Sequence, residues 1–278
     1  MTTIETQDKS HIELTIVNHF YFNQQDTSTL DDLLKEYASY SPELLDYIQF
    51  VLVDDCSPIE PVIDKSLNLN IRYLRITDDI KWNQPGARNL AAVYAASDKI
   101  VVTDLDLKLP EKTLRHLITV KNPGKTFYKF PRFDSNGNKI HSHPNTFFFS
   151  RARFFRFHGY DEDFSGDYGY DDVFFYRWQR YNGTRFLTFK DEYRVIAPAV
   201  ERDASYHSLV RDLSHNEAIY NNKINLIKKY GPAKGHSRKC LNFNWQTIEN
   251  RIRDCEIPEP VKRPNWSKNW SLRWLLPY

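Results

Sequence analysis

The sequence predicts an α/β fold, a mostly parallel central sheet with helices on both faces. Three observations carry that expectation. Apolar runs such as Phe50-Val51-Leu52-Val53 and Ile100-Val101-Val102 have the length of buried strands, and stretches with helical spacing separate them. Strand and helix alternate from residue 11 to the Pro123-Gly124 pair, the order in which parallel sheets are wound. The acids Asp54, Asp55, Asp104 and Asp106 directly follow two of the runs, beyond the carboxyl ends of strands, where sheets of this kind bind ligands.

The first strand signal covers residues 11–17, and a helical stretch follows over 28–40 with Leu30, Leu33, Leu34 and Tyr37 on one face. Ser41-Pro42 reads as a cap and first-turn proline of a short second helix. The second strand, 50–53, ends in Asp54-Asp55-Cys56-Ser57-Pro58, and 71–75 is a third. Pro85-Gly86-Ala87-Arg88-Asn89 opens a helix with Leu90, Ala91 and Tyr94 in a stripe, and 100–103 is the fourth strand. After Pro110, a helix carrying Leu114, Leu117 and Ile118 ends before Pro123. Residues 126–133 and 139–150 read as two strands joined by a hairpin turn centred on Asn136-Gly137. A helix over 171–181 is stopped by Asn182-Gly183, short strands follow at 185–189 and 194–196, and a polar helix runs from about 213 to 230. The remainder is a tail rich in Pro, Lys and Trp.

A chain of 278 residues can bury one large domain, or one domain with an appendage. The charge favours the second: residues 220–278 carry 12 Lys and Arg against 4 Asp and Glu, inside a chain whose net charge is only +2. The expected division is 1–215 and a basic extension, 216–278. With 41% hydrophobic and 27% charged residues, wholesale disorder is excluded. Three cysteines, Cys56, Cys240 and Cys255, form no CxxC pair, which argues against a disulfide framework or a zinc knuckle. The first twenty residues have no basic region followed by an apolar stretch, and nowhere do eighteen apolar residues run together. The expected location is the cytoplasm.

Two acidic clusters carry chemistry. Thr103-Asp104-Leu105-Asp106 at a strand exit offers hard carboxylate oxygens that suit Mg²⁺ or Mn²⁺, a cation able to neutralise a nucleotide's phosphates. Gly159-Tyr160-Asp161-Glu162-Asp163-Phe164 and then Gly169-Tyr170-Asp171-Asp172 form the second, at a helix start. An electrophilic stabiliser and a general base together are what transfer of a sugar from a nucleotide donor requires.

These motifs resemble the GT-A glycosyltransferases near family 2, over about residues 11–215, and the second half is similar to the β-1,4-galactosyltransferase type. Val51-Leu52-Val53-Asp54-Asp55-Cys56-Ser57 is similar to a segment in which a carboxylate accepts the uracil N–H; Asp54 and Asp55 are the candidates, Asp55 the better by position. Gly86-Ala87-Arg88-Asn89 matches the Gly-x-Ala-Arg-Asn helix start beside the nucleotide, and Asp104-Leu105-Asp106 matches the DxD motif. The resemblance implies that Asp106 binds the metal directly, that Asp104 reaches ribose or metal-bound water, and that the imidazole of His207 is a third ligand for Mn²⁺. Gly169-Tyr170-Asp171-Asp172 resembles the stretch ending in Gly-x-Glu-Asp, with Asp172 as catalytic base and Asp171 holding an acceptor hydroxyl. It also implies a nucleotide-sugar half, about 11–125, and an acceptor half, about 126–215. A carboxylate at a helix start is expected to be held ionised by the helix dipole.

The expected reaction is inverting transfer from a UDP-sugar, with galactose or an N-acetylhexosamine moved to a glycan or lipid-linked glycan. A non-catalytic glycan- or nucleotide-binding protein that kept the cleft is the alternative. Phosphatases of the haloacid dehalogenase type also use a strand-Asp-x-Asp, but with Thr or Val two residues on, where this chain has Lys108. Asp54-Asp55 as a cap of the Ser57-Pro58 turn, and Asp161, Glu162 and Asp163 as loop-structuring acids, are the plainer readings of those residues. In the tail, Trp266, Trp270 and Trp274 share a helical spacing with Lys268 and Arg273 nearby. Residues 262–278 are thus either a peripheral contact with the anionic inner face of a membrane or a clamp on the catalytic domain. No nucleic-acid motif accompanies the basic charge.

Overall fold

A computed structural model describes residues 9–24, 27–198, 209–253, 255, 256, 258, 259 and 261. Two sheets organise them. The larger has eight strands: β1 (Leu14–Phe20), β2 (Ile48–Asp54), β3 (Asn70–Ile76), β4 (Lys99–Val102), β5 (Thr126–Lys129), β8 (Phe147–Ser150), β9 (Arg185–Thr188) and β11 (Trp245–Arg251). Its spatial order is β11-β3-β2-β1-β4-β8-β5-β9. β3, β2, β1 and β4 are parallel neighbours, as are β5 and β9, while β8 and β11 enter antiparallel. A small sheet joins β6 (Arg132–Asp134), β7 (Lys139–Ile140) and β10 (Val195–Ala197).

The alternation of strand side chains builds two layers. Ile16, Phe50, Leu52 and Tyr73 face one side, against Leu30, Leu34 and Tyr37 of helix α1 (Ser28–Ala38), the short α2 (Pro42–Leu45) and Leu114 and Leu117 of α4 (Glu111–Thr119). Val17, Val51, Val53 and Leu74 face the other, against Ala87, Leu90 and Ala91 of α3 (Gln84–Tyr94) and against Phe154 and Phe175. Phe154 belongs to α5 (Arg151–Arg156), and Phe175 to α6 (Asp171–Tyr181). A third cluster packs Phe174 and Trp178 of α6 on Tyr220, Ile224 and Ile227 of α7 (Ser214–Tyr230).

Two expectations change. The strands expected over 126–133 and 139–150 are four. β5 and β8 pair in the main sheet, whereas β6 and β7 form the hairpin in the small one. Pro131 lies at the first break and has no N–H for a ladder. The tail also contains a strand, β11, which lies antiparallel to β3 at the sheet edge, so the basic extension contributes to the central sheet. Gly86 in α3 answers to the same segment, because a Cβ there would stand 2.5 Å from the Phe243 ring. Among the described residues no helix is long and apolar enough to cross a membrane. The three tail tryptophans lie outside the described residues.

Candidate active site

Strands β2, β1 and β4 run side by side in one direction, so their carboxyl ends open on one edge. A cleft lies there, its empty volume about 950 Å³ including the open mouth, and Asp55, Asp104 and Asp106 line it. Thr103 N–H donates to Val17 O at 3.0 Å, which carries the sheet ladder to the residue before the DxD acids. Leu107 and Leu109, both fully buried, anchor the turn behind them. Asp54 is employed elsewhere: its Oδ1 accepts from Ser57 N–H at 2.8 Å and its Oδ2 from Arg75 at 3.0 Å. It holds the turn that presents Asp55.

Arg88 joins the two acidic clusters. Its guanidinium is fully buried and lies 2.8 Å from Asp171 Oδ2 and 3.7 Å from Asp104 Oδ1. It also sits over the Tyr160 ring at 5.1 Å. Residues far apart in the chain thus meet around one cation, and Asp172 is near enough for its charge to act on Arg88.

The loop that delivers Asp171 and Asp172 is fastened by side chains from α3 and the basic extension. Asn89 accepts from Tyr160 N–H at 2.9 Å and donates to Tyr160 O and to Glu162. Gly159 has φ +67°, and a Cβ on it would stand 2.4 Å from Asn89 Oδ1, so only glycine lets the loop pass. Lys223 reaches Asp161 at 2.7 Å and Asp163 at 2.8 Å, while Ser237 donates to Asp161 through both its N–H and its hydroxyl. Asn216 of α7 donates to Phe164 O, Asp167 O and Gly169 O. Asp161, Glu162 and Asp163 therefore structure the loop. Tyr170, at φ +63°, turns the chain into α6.

Burial dominates the electrostatics. It pushes the Asp55 carboxyl up to about 8, with help from Asp54 and against hydrogen bonds from Asn83. Asp55 Oδ1 is a buried acceptor with no hydrogen-bond partner among the described residues, which suits a ligand N–H. Burial likewise raises Asp104, against the pull of Arg88 and His143. Asp172 is raised by burial and by Asp171, against Arg88. The helix dipole does not set the direction for Asp172: it contributes about 0.3–1 kcal/mol at an exposed helix end, less than desolvation beside a second carboxylate.

A match to glycosyl transferase family 2 covers residues 22–186, more than half of the chain. The chain belongs to that family. Comparison with curated proteins gave no match. Among solved structures, S. aureus TarS 1–349 in complex with UDP-GlcNAc aligns at TM-score 0.55 and 15% identity, over 77% of this chain and 66% of that one. A further S. aureus TarS structure gives 0.51 at 15% identity, over 77% and 39%. The mannosyltransferase PcManGT from Pyrobaculum calidifontis, in complex with GDP-Man and Mn²⁺, gives 0.48 at 16% identity, over 78% and 63%. The chain spans less than two thirds of each of these structures, and at such identities the TarS likeness is one of fold.

This family 2 member brings residues to the cleft that its sequence did not single out. His19 stands two residues after Val17, on the α3 side of β1, and burial and the Arg88 charge hold its imidazole well below the usual range, hence neutral. Phe20 and Phe22 stack at 4.9 Å behind it. Trp82 adopts φ +52°, uncommon for a bulky residue, and is held there by Nε1–H donation to Val210 O and by contact with the Tyr168 ring at 4.6 Å. His143 lies 3.5 Å from Asp104 Oδ2. The one sequence signal for any of them was position at a strand exit, and that applied to His19 and Phe20 at the end of β1.

Among the described residues no three His, Cys, Asp or Glu side chains form a ready cage for a metal. The DxD pair nevertheless fits a hard cation. Asp104 and Asp106 present carboxylates to the cleft, and among the described residues Asp104 Oδ1 is buried without a hydrogen bond, with Arg88 beside it at 3.7 Å. His207, the third expected ligand, lies outside the described residues.

Proposed function

We propose that this chain is an inverting glycosyltransferase. It takes galactose or an N-acetylhexosamine from a UDP-sugar and delivers it to a hydroxyl of a glycan or lipid-linked glycan, working in the cytoplasm, with 262–278 as a candidate contact with anionic membrane. The observation that supports this best is the Arg88 bridge, which sets Asp171 and Asp172 beside the DxD acids. Asp171 and Asp172 do not line the cleft that Asp55, Asp104 and Asp106 line, but the bridge draws them to its border, around the cation that also meets Asp104.

Asp55 accepts the imide N–H of the uracil ring, and Phe20 and Phe22 form the apolar wall near it. Asp104 and Asp106 would hold Mn²⁺ or Mg²⁺, which when bound offsets charge on the diphosphate. Asp171, fixed by Arg88, orients the acceptor hydroxyl. Asp172 takes that hydroxyl's proton as the oxygen forms its bond to the anomeric carbon. The bond from that carbon to the phosphate oxygen breaks on the opposite face, its electron pair leaving with UDP, so configuration inverts. The raised position of Asp172 improves it as a base, because an ordinary carboxylate is far too weakly basic to match a hydroxyl at neutral pH.

The test is UDP release from a panel of UDP-sugars with Mn²⁺, for wild type, Asp172→Asn and Asp104→Asn. Release by the wild type, a fall of about 10²–10⁴ in Asp172→Asn and loss on chelation are expected. A wild type that binds UDP yet releases none from any donor, with or without acceptors, would establish the non-catalytic alternative.

A further inference from the structure

We infer that the acceptor is an anionic glycan, bearing carboxylate or phosphate groups that dock on Lys129 and Arg180. The inference rests on the glycosyltransferase reading, since Asp172 marks where the attacked hydroxyl sits.

Asp172, Tyr176 and Arg180 follow one another at four-residue intervals, so they lie along one side of α6. Eight residues of helix span about 12 Å, the reach of an oligosaccharide rather than of one sugar. Lys129 approaches the same line from the sheet. It is two residues beyond Phe127, whose ring packs on Tyr176 at 5.0 Å, so strand alternation points Lys129 to the α6 side. Its Nζ stands 4.5 Å from the Tyr176 ring centroid. The Arg180 guanidinium stands 5.0 Å from the Phe186 ring, and the Tyr176 and Phe186 rings are 5.7 Å apart.

Two cations thus flank a pair of aromatic rings that leads away from the candidate base. Among the described residues neither is paired with a carboxylate, unlike Lys108, Lys112, Lys139 and Lys223. Their like charges also press on each other: burial and Arg180 together lower the Lys129 ammonium. Such crowding without a counter-charge is unfavourable in the free protein and is relieved by an anion. The rings hold the two cations in place over them, and from there the cations take the charged groups of the glycan. A neutral glycan would leave both cations uncompensated.

The experiment titrates full-length protein, in the presence of UDP and Mn²⁺, with oligogalacturonate, inorganic polyphosphate and maltohexaose, and separately with phosphatidylglycerol vesicles. Binding of oligogalacturonate at least tenfold tighter than maltohexaose is expected, weakening as salt is raised, and binding of polyphosphate alone would overturn the inference by showing a polyanion site that does not read sugar. Lys129→Gln/Arg180→Gln should lose most of that preference, with UDP affinity in the same samples reporting a folded donor site. Equal affinity for charged and neutral oligomers would overturn the inference, as would a double variant that keeps the preference. So would binding to vesicles through these two residues without binding to either oligomer, which would make the patch a membrane contact. A charge preference in a protein that releases UDP from no donor would sink the enzyme reading and leave the patch standing as an anionic-glycan site.

Discussion

The Arg88 guanidinium and the Asp171 carboxylate meet at 2.8 Å with side chains 1% and 11% exposed, one from the first turns of α3 and the other from the start of α6. Neither charge can turn to water if the other is removed. The contact therefore fixes the spacing of α3 and α6 at the border of the cleft as well as their charge.

Arg88→Gln should destabilise the protein by about 3–5 kcal/mol, because it strands a buried carboxylate. Asp171→Asn alone should also cost stability, though less, because Asp104 still faces the cation at 3.7 Å. The double variant should cost less than the sum, since Arg88 and Asp171 are removed together and only Asp104 is left without the cation. Urea unfolding of the four proteins measures this, and simple additivity would show that the pair is not coupled.

Much of this site was legible in the sequence because its acids come in contiguous motifs at strand and helix ends. Asp55, Asp104, Asp106, Asp171 and Asp172 needed only the alternation of strand and helix to be placed. What was not legible depends on chain crossings. Trp82 and His143 sit in loops whose arrival at the cleft is decided by tertiary contacts, and nothing in their neighbours encodes it. The split at Pro131 was hidden by strand-favouring aromatic residues on both sides of it, Phe127, Tyr128 and Phe130 before and Phe133 after. β11 was hidden for the opposite reason: it is an edge strand, mostly exposed, and its polar sequence pairs with β3 through the backbone.

Asp55 gives a stability prediction with a definite sign. Its folded carboxyl is raised to about 8 from an ordinary 3.8, so the folded protein holds a proton that the unfolded chain releases. Asp55 is therefore neutral at little cost below about pH 4 and increasingly unfavourable as pH rises toward 8, at up to about 1.4 kcal/mol per pH unit. Asp55→Asn, neutral throughout, should raise the melting temperature at pH 8, with the gain shrinking toward pH 4, while UDP affinity falls. Calorimetry across pH checks it, and an Asp55→Asn protein no more stable than wild type at pH 8 would contradict it.

Asn216 holds three carbonyls of the loop that precedes Asp171, at 2.8 to 3.0 Å, while 1% exposed. Asn216→Ala should cost about 2–3 kcal/mol, since buried acceptors lose their donor. Asn216→Asp should be worse, because a carboxylate would face carbonyl oxygens in place of an amide donor. If the aspartate variant proves the more stable of the two in urea, the amide is not what holds this loop.

In the proposed reaction Asp172 sets the acid limb. The base must be ionised to accept a proton, and burial and Asp171 raise its carboxyl, so activity should fall below a pH higher than an ordinary aspartate would give. Removing the neighbouring charge tests the cause. In Asp171→Asn the like-charge repulsion is gone while Arg88 remains, so Asp172 should ionise more readily and the acid limb of kcat should move to lower pH, even though the maximum rate falls. Asp172→Glu, if active, should keep a raised limb because Asp171 is still present. A limb that stays in place or moves upward in Asp171→Asn would mean that Asp171 does not set the ionisation of the base, and that burial alone governs it.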